Sequence, residues 1–423
     1  MSVIETIRAQ AAAARAAGRA LKRSSSAQRN TFLTELAGNL RGQIEAIVAA
    51  NSIDLDQGAA AGLDGAMLDR LRLTPARIAG MASDLEHVAT LADPLGLRFD
   101  AHTLRNGLRA HKRRVPLGVL GVIYESRPNV TIDVAALAIK TGNAAVLRGG
   151  KEAIASNRIL LRIARDALQS SGLPVEALQF IDSVEREASL ALLQQDDLVD
   201  LIIPRGGAGL HAFCRRESRI PVITGGIGIC HLYVDQAADL TRALPVIRNA
   251  KVQRPTVCNA LDTVLVHRKI APRLVPELVQ LLAKDQVEFR CDDDAFALAT
   301  HLPGARVVRA GAEDFDTEWL SLVLGIAIVD DAETAMRHIE THSSGHSDGI
   351  LTDDAELAEE FLARIDSAAV YWNSSTRFTD GGELDLGAEV AVSTQKLHAR
   401  GPMGLTELTS YKWVLEGDYS SRA

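Results

Sequence analysis

The sequence predicts an α/β protein built on parallel sheets, and three observations carry that expectation. Between residues 117 and 235 short apolar runs alternate with helical segments, with Gly or Pro at the transitions. A second alternation follows from 261 to 342. At 423 residues, 47% of them hydrophobic, the chain is longer than one core normally supports, so at least two domains are expected.

The first 51 residues are Ala-rich, with Leu33, Leu36, Leu40, Ile44 and Ile47 at helical spacing, and predict amphipathic helices. Glu5, Glu35 and Glu45 argue against a transit peptide. A further helical block, 64–90, stops before Asp93-Pro94. Strands are then expected at 118–124, 144–147, 177–181, 198–203 and 221–223, with helices over 132–140, 156–171, up to 194 and from 209. Near-continuous apolar strands separated by helices suit a parallel sheet covered on both faces. Beyond a boundary near Gly225 to Gly228, strands at 261–267, 305–309 and 321–330 alternate with helices at 273–284 and 332–342, the last stopped by Ser343-Ser344-Gly345. Strands at 368–373 and 389–394 close the chain among polar, glycine-rich links of the kind found at ligand clefts or subunit contacts.

Composition excludes several classes of function. The four cysteines form no Cys-x-x-Cys pair and follow no secretory segment, so a disulfide scaffold and a Cys-rich zinc site are not indicated, and a cytoplasmic location is expected. Apolar stretches at 115–124 and 320–329 are too short to span a bilayer, so no membrane role is expected. The basic run His111-Lys-Arg-Arg114 lacks interleaved aromatics in a chain of net charge -8, which argues against nucleic acid. His338 and His342 fall one helical turn apart, with His346 beyond, but without the Glu of a His-Glu-x-x-His site; no metal is expected.

Cys258 carries the clearest chemistry. It lies between the Arg254-Pro255 break and the apolar run from Leu261, in a loop ahead of a strand where a thiolate can meet a ligand. A buried cysteine acting as a small hydrophobe is the plain alternative.

Five strings resemble the aldehyde dehydrogenase superfamily and, within it, the glutamate-5-semialdehyde dehydrogenase family. They are Glu125-Ser-Arg-Pro-Asn-Val-Thr131, the run from Lys140 to Ala153, Leu201-Ile-Ile-Pro-Arg-Gly-Gly207, Thr256-Val-Cys-Asn-Ala260, and the run from Ser393 to Leu405. The resemblance implies an aldehyde dehydrogenase-like fold: two Rossmann-like parallel-sheet domains plus an extended oligomerisation arm. It places a nucleotide-binding domain at 1–225, with oligomerisation strands near 97–114, a catalytic domain carrying the nucleophile at 226–380, and a returning segment and arm at 381–423. It further implies a homo-oligomer, at least a dimer, and admits functional coupling to the upstream kinase.

The implied reaction is NADPH-dependent reduction of L-glutamyl 5-phosphate to L-glutamate 5-semialdehyde and phosphate, in proline biosynthesis. Cys258 would expel phosphate and form a thioester, which hydride then reduces. The oxyanion needs donors, for which the Cys258 N–H and the Asn129 amide are candidates, with Ser126 as the alternative should the loop align differently. Oxidising relatives carry a general-base glutamate where Thr224 stands, and threonine cannot ionise to activate water. No Gly-x-Gly-x-x-Gly fingerprint is present, but Gly206 and Gly207 could bring backbone N–H groups to a pyrophosphate. Arg148 and Arg205 suit the ribose phosphate of NADPH/NADP+, and Glu318 matches the acid that holds nicotinamide ribose. Ser344, His346, Asp348, Ser375, Arg377 and Arg254 are expected around the substrate, with Asp348 facing its amino group and an arginine its oxyanion. The alternatives are a hydrolytic aldehyde dehydrogenase of another small substrate and a non-enzymatic anion or nucleic-acid binding protein.

Overall fold

A computed structural model describes residues 2–225 and 227–422, so Gly226, at the expected boundary, lies outside the described residues. Five helices lead the chain: α1 (Val3–Leu21), α2 (Ser26–Gly42), α3 (Ile44–Ala60), α4 (Gly65–Leu71) and α5 (Pro75–Thr90). Their starts follow from local chemistry. Ser2 and Ser25 accept N–H groups three residues on while Glu5 and Gln28 reach back, and Thr74 caps α5 ahead of Pro75. Of the expected apolar stripe, Leu33, Leu36, Leu40 and Ile47 are fully buried.

Two strands, β1 (Arg98–Thr103) and β2 (Arg109–Pro116), precede the first βα run: β3 (Val119–Tyr124), α6 (Asn129–Lys140), β4 (Ala144–Arg148), α7 (Ile154–Ser170), β5 (Leu178–Phe180), α8 (Arg186–Leu193), β6 (Leu201–Arg205) and α9 (Ala208–Glu217). The second run is β7 (Cys230–Val234), α10 (Leu240–Val252), β8 (Leu261–His267), α11 (Ala271–Ala283), β9 (Glu288–Cys291), α12 (Asp293–Ala299), β10 (Arg306–Arg309), β11 (Val323–Val329), α13 (Ala332–His342), β12 (Ser347–Leu351), α14 (Ala355–Arg364) and β13 (Ala369–Trp372). The tail adds β14 (Val392–Ser393), β15 (Gly401–Pro402) and β16 (Thr409–Glu416).

The chain forms two compact units. Unit one holds the described residues up to Thr224, Asp385–Ala391 and those from Met403 onward; unit two holds Gly225–Leu384 and Val392–Pro402. The segment 381–423 is thus shared between both units.

Unit one contains a parallel sheet of order β5-β4-β3-β6. The chain runs outward from β3 through β4 to β5, then returns to the other side of β3 as β6. Connections after β3 and β6 therefore leave in opposite directions, the arrangement that opens a crevice at the carboxyl ends of the strands. The strand expected at 221–223 is reduced to one parallel bridge between Val222 and Ile202, because Pro221 has no N–H to extend the ladder. A separate antiparallel sheet of order β1-β2-β16 also belongs to unit one. Strands expected near 97–114 thereby find their companion in 409–416 of the same chain.

Unit two is built on a seven-stranded parallel sheet of order β10-β9-β11-β8-β7-β12-β13. Apolar side chains of β7, β8 and β11 pack against α10, α11 and α12 in one cluster and α13 and α14 in another, so both faces are covered. Strands β7 and β12 were not expected from the sequence. Each is five residues long and carries polar groups, His231 in one and Ser347 and Asp348 in the other, that break the apolar pattern.

Candidate active site

Because β11, β8, β7 and β12 are parallel neighbours, the segments leading into them collect at one edge of unit two. Cys258 precedes β8, Gly228 precedes β7, Glu318 precedes β11, and Ser344 precedes β12. The approach is close: a Cβ placed on Gly228 would stand 1.5 Å from the Cys258 carbonyl oxygen. Only glycine admits this contact. The Gly228 N–H donates to Glu318 Oε1 at 2.9 Å, and the Ile229 N–H to Ser344 Oγ at 2.9 Å. The Cys230 thiol donates to the Cys258 carbonyl at 3.3 Å.

Asn259 ties a second loop to this edge. Its Nδ2 donates to the carbonyls of Arg377 at 3.2 Å and Thr379 at 3.0 Å, while its own carbonyl accepts from Thr376 Oγ1 at 2.8 Å. Ser375 Oγ accepts the Arg377 N–H at 3.3 Å, capping the single helical turn Thr376–Phe378, and Arg377 Nε donates to Gln253 Oε1 at 2.7 Å. Burial, above all, lowers the Arg377 guanidinium; Arg254 adds to this, whereas Asp380 and Cys258 oppose it. Arg254 and Arg377 thus give this part of unit two a cationic character suited to phosphate.

The cysteines separate sharply. Cys214 and Cys291 are buried, with thiols pushed up to about 12, and burial drives Cys230 well above the usual range. Cys258 alone is half-buried.

Two expected substrate residues stand elsewhere. Asp348 lies inside β12, fully buried, accepting from the His231 N–H and facing its Nδ1 at 3.0 Å, and accepting from Ser343 Oγ and Ser367 Oγ at 2.6 and 2.5 Å. Its carboxylate is spent within the protein. His346 is also fully buried, with Nδ1 on Ser347 Oγ at 2.8 Å, and burial lowers it to about 4. Residues expected in a polar loop around the substrate enter or adjoin β12, a strand with neighbours on both sides, where a buried polar group must find an internal partner.

In unit one, the residues expected around the cofactor gather at the carboxyl edge of the β5-β4-β3-β6 sheet. Arg148 ends β4, Glu125 follows β3, and Arg205 ends β6, ahead of Gly206 and Gly207. Arg148 Nη2 donates to the Val184 carbonyl at 3.0 Å, while its buried Nε finds no protein partner. Burial lowers this guanidinium, opposed by Glu152 and Glu125. An unpartnered guanidinium nitrogen at a strand end fits an anionic ligand. The fit is poorer at α9, because the Gly207 N–H is already taken by the Glu125 carboxylate at 3.0 Å. Asn129 opens α6 and donates through Nδ2 to Asp133 Oδ2 at 2.9 Å; burial pushes Asp133 up to about 6. Ser126 is committed to Glu152, its hydroxyl donating at 2.6 Å and its N–H at 3.0 Å. Thr224 is buried.

Gly228, Asn259 and Asp262 were missed from sequence, although Asn259 adjoins the nucleophile within one of the five strings. Among the described residues no group of three or more His, Cys, Asp or Glu is placed to hold a metal ion.

A model of the aldehyde dehydrogenase family matches residues 3–300. The gamma-glutamyl phosphate reductase of Aeromonas salmonicida is 56% identical over 408 residues, which cover 96% of this chain and 97% of that one. This chain belongs to the gamma-glutamyl phosphate reductases of the aldehyde dehydrogenase family. A further gamma-glutamyl phosphate reductase, from Tolumonas auensis, is 53% identical over 411 residues, 97% of this chain and 98% of that one. The crystal structure of gamma-glutamyl phosphate reductase from Thermotoga maritima aligns with a TM-score of 0.95 at 41% identity, covering 99% of this chain and all of that one. An acetylating aldehyde dehydrogenase from Geobacillus thermoglucosidasius, 19% identical with a TM-score of 0.70 over 100% of this chain and 98% of that one, shares the fold. As in other gamma-glutamyl phosphate reductases, parallel α/β sheets are the frame. Within the described residues no helix is long and apolar enough to cross a membrane.

Proposed function

We propose that this protein is an oxidoreductase of proline biosynthesis that reduces L-glutamyl 5-phosphate to L-glutamate 5-semialdehyde and phosphate with NADPH. The observation that carries the reading is Cys258. It is the one half-buried thiol of four, at the edge where the lead-in segments of a parallel sheet meet, beside two arginines. The gamma-glutamyl phosphate reductases, 53 to 56% identical across nearly the whole chain, support the same substrate.

In this reading the Cys258 thiolate attacks the acyl carbon, the C–O bond to phosphate breaks, and phosphate leaves with its electron pair, opposite Arg254 and Arg377. The resulting thioester stays electrophilic. NADPH, when bound, supplies the hydride that reduces it. The thiohemiacetal oxyanion left by hydride addition collapses, re-forming the C=O bond, breaking the C–S bond and returning the thiolate. Oxyanions on this path accept from the Cys258 N–H and from the amide of Asn129, which Asp133 holds in orientation. Arg148 and Arg205 are assigned to the ribose phosphate and Glu318 to the nicotinamide ribose. Ser344 and Ser375 shape the substrate loops, while Asp348 and His346 serve as internal supports, not contacts. We infer an oligomer of at least two subunits in the cytoplasm, with the kinase upstream as the source of the labile acyl phosphate.

The reverse reaction tests the proposal. With the semialdehyde and NADP+, NADPH should form only when phosphate or arsenate is present, because Thr224 cannot serve as the base that would activate water. NADP+ should outperform NAD+, and simple aliphatic aldehydes should be poor substrates. Oxidation at full rate without phosphate would instead identify a hydrolytic aldehyde dehydrogenase.

A further inference from the structure

A buried ion pair spans the two ends of the loop that carries Cys258. Lys251 lies in the last turn of α10 and Asp262 is the second residue of β8, and both are buried, Lys251 completely. Lys251 Nζ donates to the Leu261 carbonyl at 2.9 Å and stands 3.8 Å from Asp262 Oδ1. Asp262 also reaches sideways: Oδ2 accepts the Cys230 N–H at 3.4 Å and Oδ1 the Trp319 N–H at 3.2 Å. One carboxylate therefore ties β8 to the start of β7, two residues after Gly228, and to the residue after Glu318. Gly228 is in turn pressed on the Cys258 carbonyl and bonded to Glu318.

Burial lowers Lys251 and pushes Asp262 up to about 6, so the environment works against both charges. A buried pair of this kind is weak in stabilising a fold compared with well-packed uncharged side chains, whereas loss of one member alone is costly. What these two residues do contribute is register among three segments that come from distant parts of the sequence.

We propose that Lys251 and Asp262 are positioning residues for the nucleophile, holding Cys258, Gly228 and Glu318 in the arrangement that turnover requires. The inference rests on Cys258 being the nucleophile, and its test separates the two. Steady-state kinetics and thermal unfolding are measured on the full chain carrying Lys251→Met, Asp262→Asn, or both. Each single variant should lose melting temperature and turnover. The double variant, which removes both charges but keeps an acceptor at 262, should recover melting temperature to within about 4 °C of wild type. Its kcat should nonetheless remain about 10-fold or more below wild type, with KM values little changed, as expected of a displaced reacting group.

A double variant with both melting temperature and kcat restored would reduce the pair to a fold element and overturn the proposal. Should the double variant not fold, Lys251→Arg, which keeps the charge but moves the donor, reads the same point. A 10-fold loss of kcat at wild-type melting temperature supports positioning, and wild-type kcat overturns it. Cys258→Ala is the parallel control: if it retains turnover, the nucleophile reading itself falls, whatever the pair does.

Discussion

Gly228 and Cys258 meet so closely that a single methyl group is excluded. The Gly228→Ala variant should push the Cys258 carbonyl aside and lower kcat about 100-fold, the scale of a misplacement near 1 Å, with the protein still folded by circular dichroism. Cys258→Ser should abolish reductive turnover, since a hydroxyl is a weak nucleophile at neutral pH. Cys214→Ala and Cys291→Ala should retain most of it, because those thiols are buried and held protonated. Equal losses from all three would return Cys258 to a structural role. His346 gives a test of a different kind. Its folded pKa, about 4, lies below the ordinary 6.5, so between those values the unfolded chain binds a proton that the folded one refuses. Stability is therefore unaffected above pH 6.5 and falls as pH drops toward 4. On moving from pH 7 to 4, His346→Gln should gain about 3 kcal/mol relative to wild type in chemical denaturation, and a constant difference would rule this out.

Asn259 holds the turn Thr376–Phe378 through two side-chain bonds to the carbonyls of Arg377 and Thr379 and one returned from Thr376. Asn259→Ala should cost about 1–3 kcal/mol in stability, since buried carbonyls lose their donor. Arg377 would then lose its fixed position. In the reverse assay KM for phosphate should rise several-fold more than KM for NADP+, and equal effects on both would show that the loop does not serve the phosphate. The same element logic applies to β12. Its Asp348 is satisfied by His231 on β7, Ser343 before the strand and Ser367 before β13, and its Ser347 hydroxyl by His346 and Thr379, while Ile350 and Leu351 join the apolar clusters on the two faces.

Across the molecule, the β1-β2-β16 sheet presents a surface that a monomer rarely leaves in water. Tyr411, Trp413 and Leu415 on β16 are 48%, 53% and 58% exposed, and among the described residues β16 is an edge strand of its sheet. Lys112 lies over the Tyr411 and Trp413 rings. Sedimentation should therefore show at least a dimer, and Trp413→Glu should shift it toward monomer. A wild-type chain that sediments as a fully active monomer at assay concentration would refute the oligomer.

The sequence by itself determined the βα order of unit one, the helical character of the leading segment and the motif string that sets Cys258 apart from the other three cysteines. These are legible because period and motif are local: each is settled by residues within a few positions of one another. What only the tertiary structure decided is which side chain meets which. Gly228, Cys258, Glu318 and Ser344 become neighbours because β7, β8, β11 and β12 lie side by side, and no spacing along the chain records that order. For the same reason Asp348 and His346, expected in a loop around the substrate, proved to be buried. Likewise the Gly207 N–H, expected to reach a pyrophosphate, proved to be held by Glu125, which follows the neighbouring strand. A polar group's role depends on whether burial forces it to find an internal partner, and burial is set by strand neighbours far away in sequence.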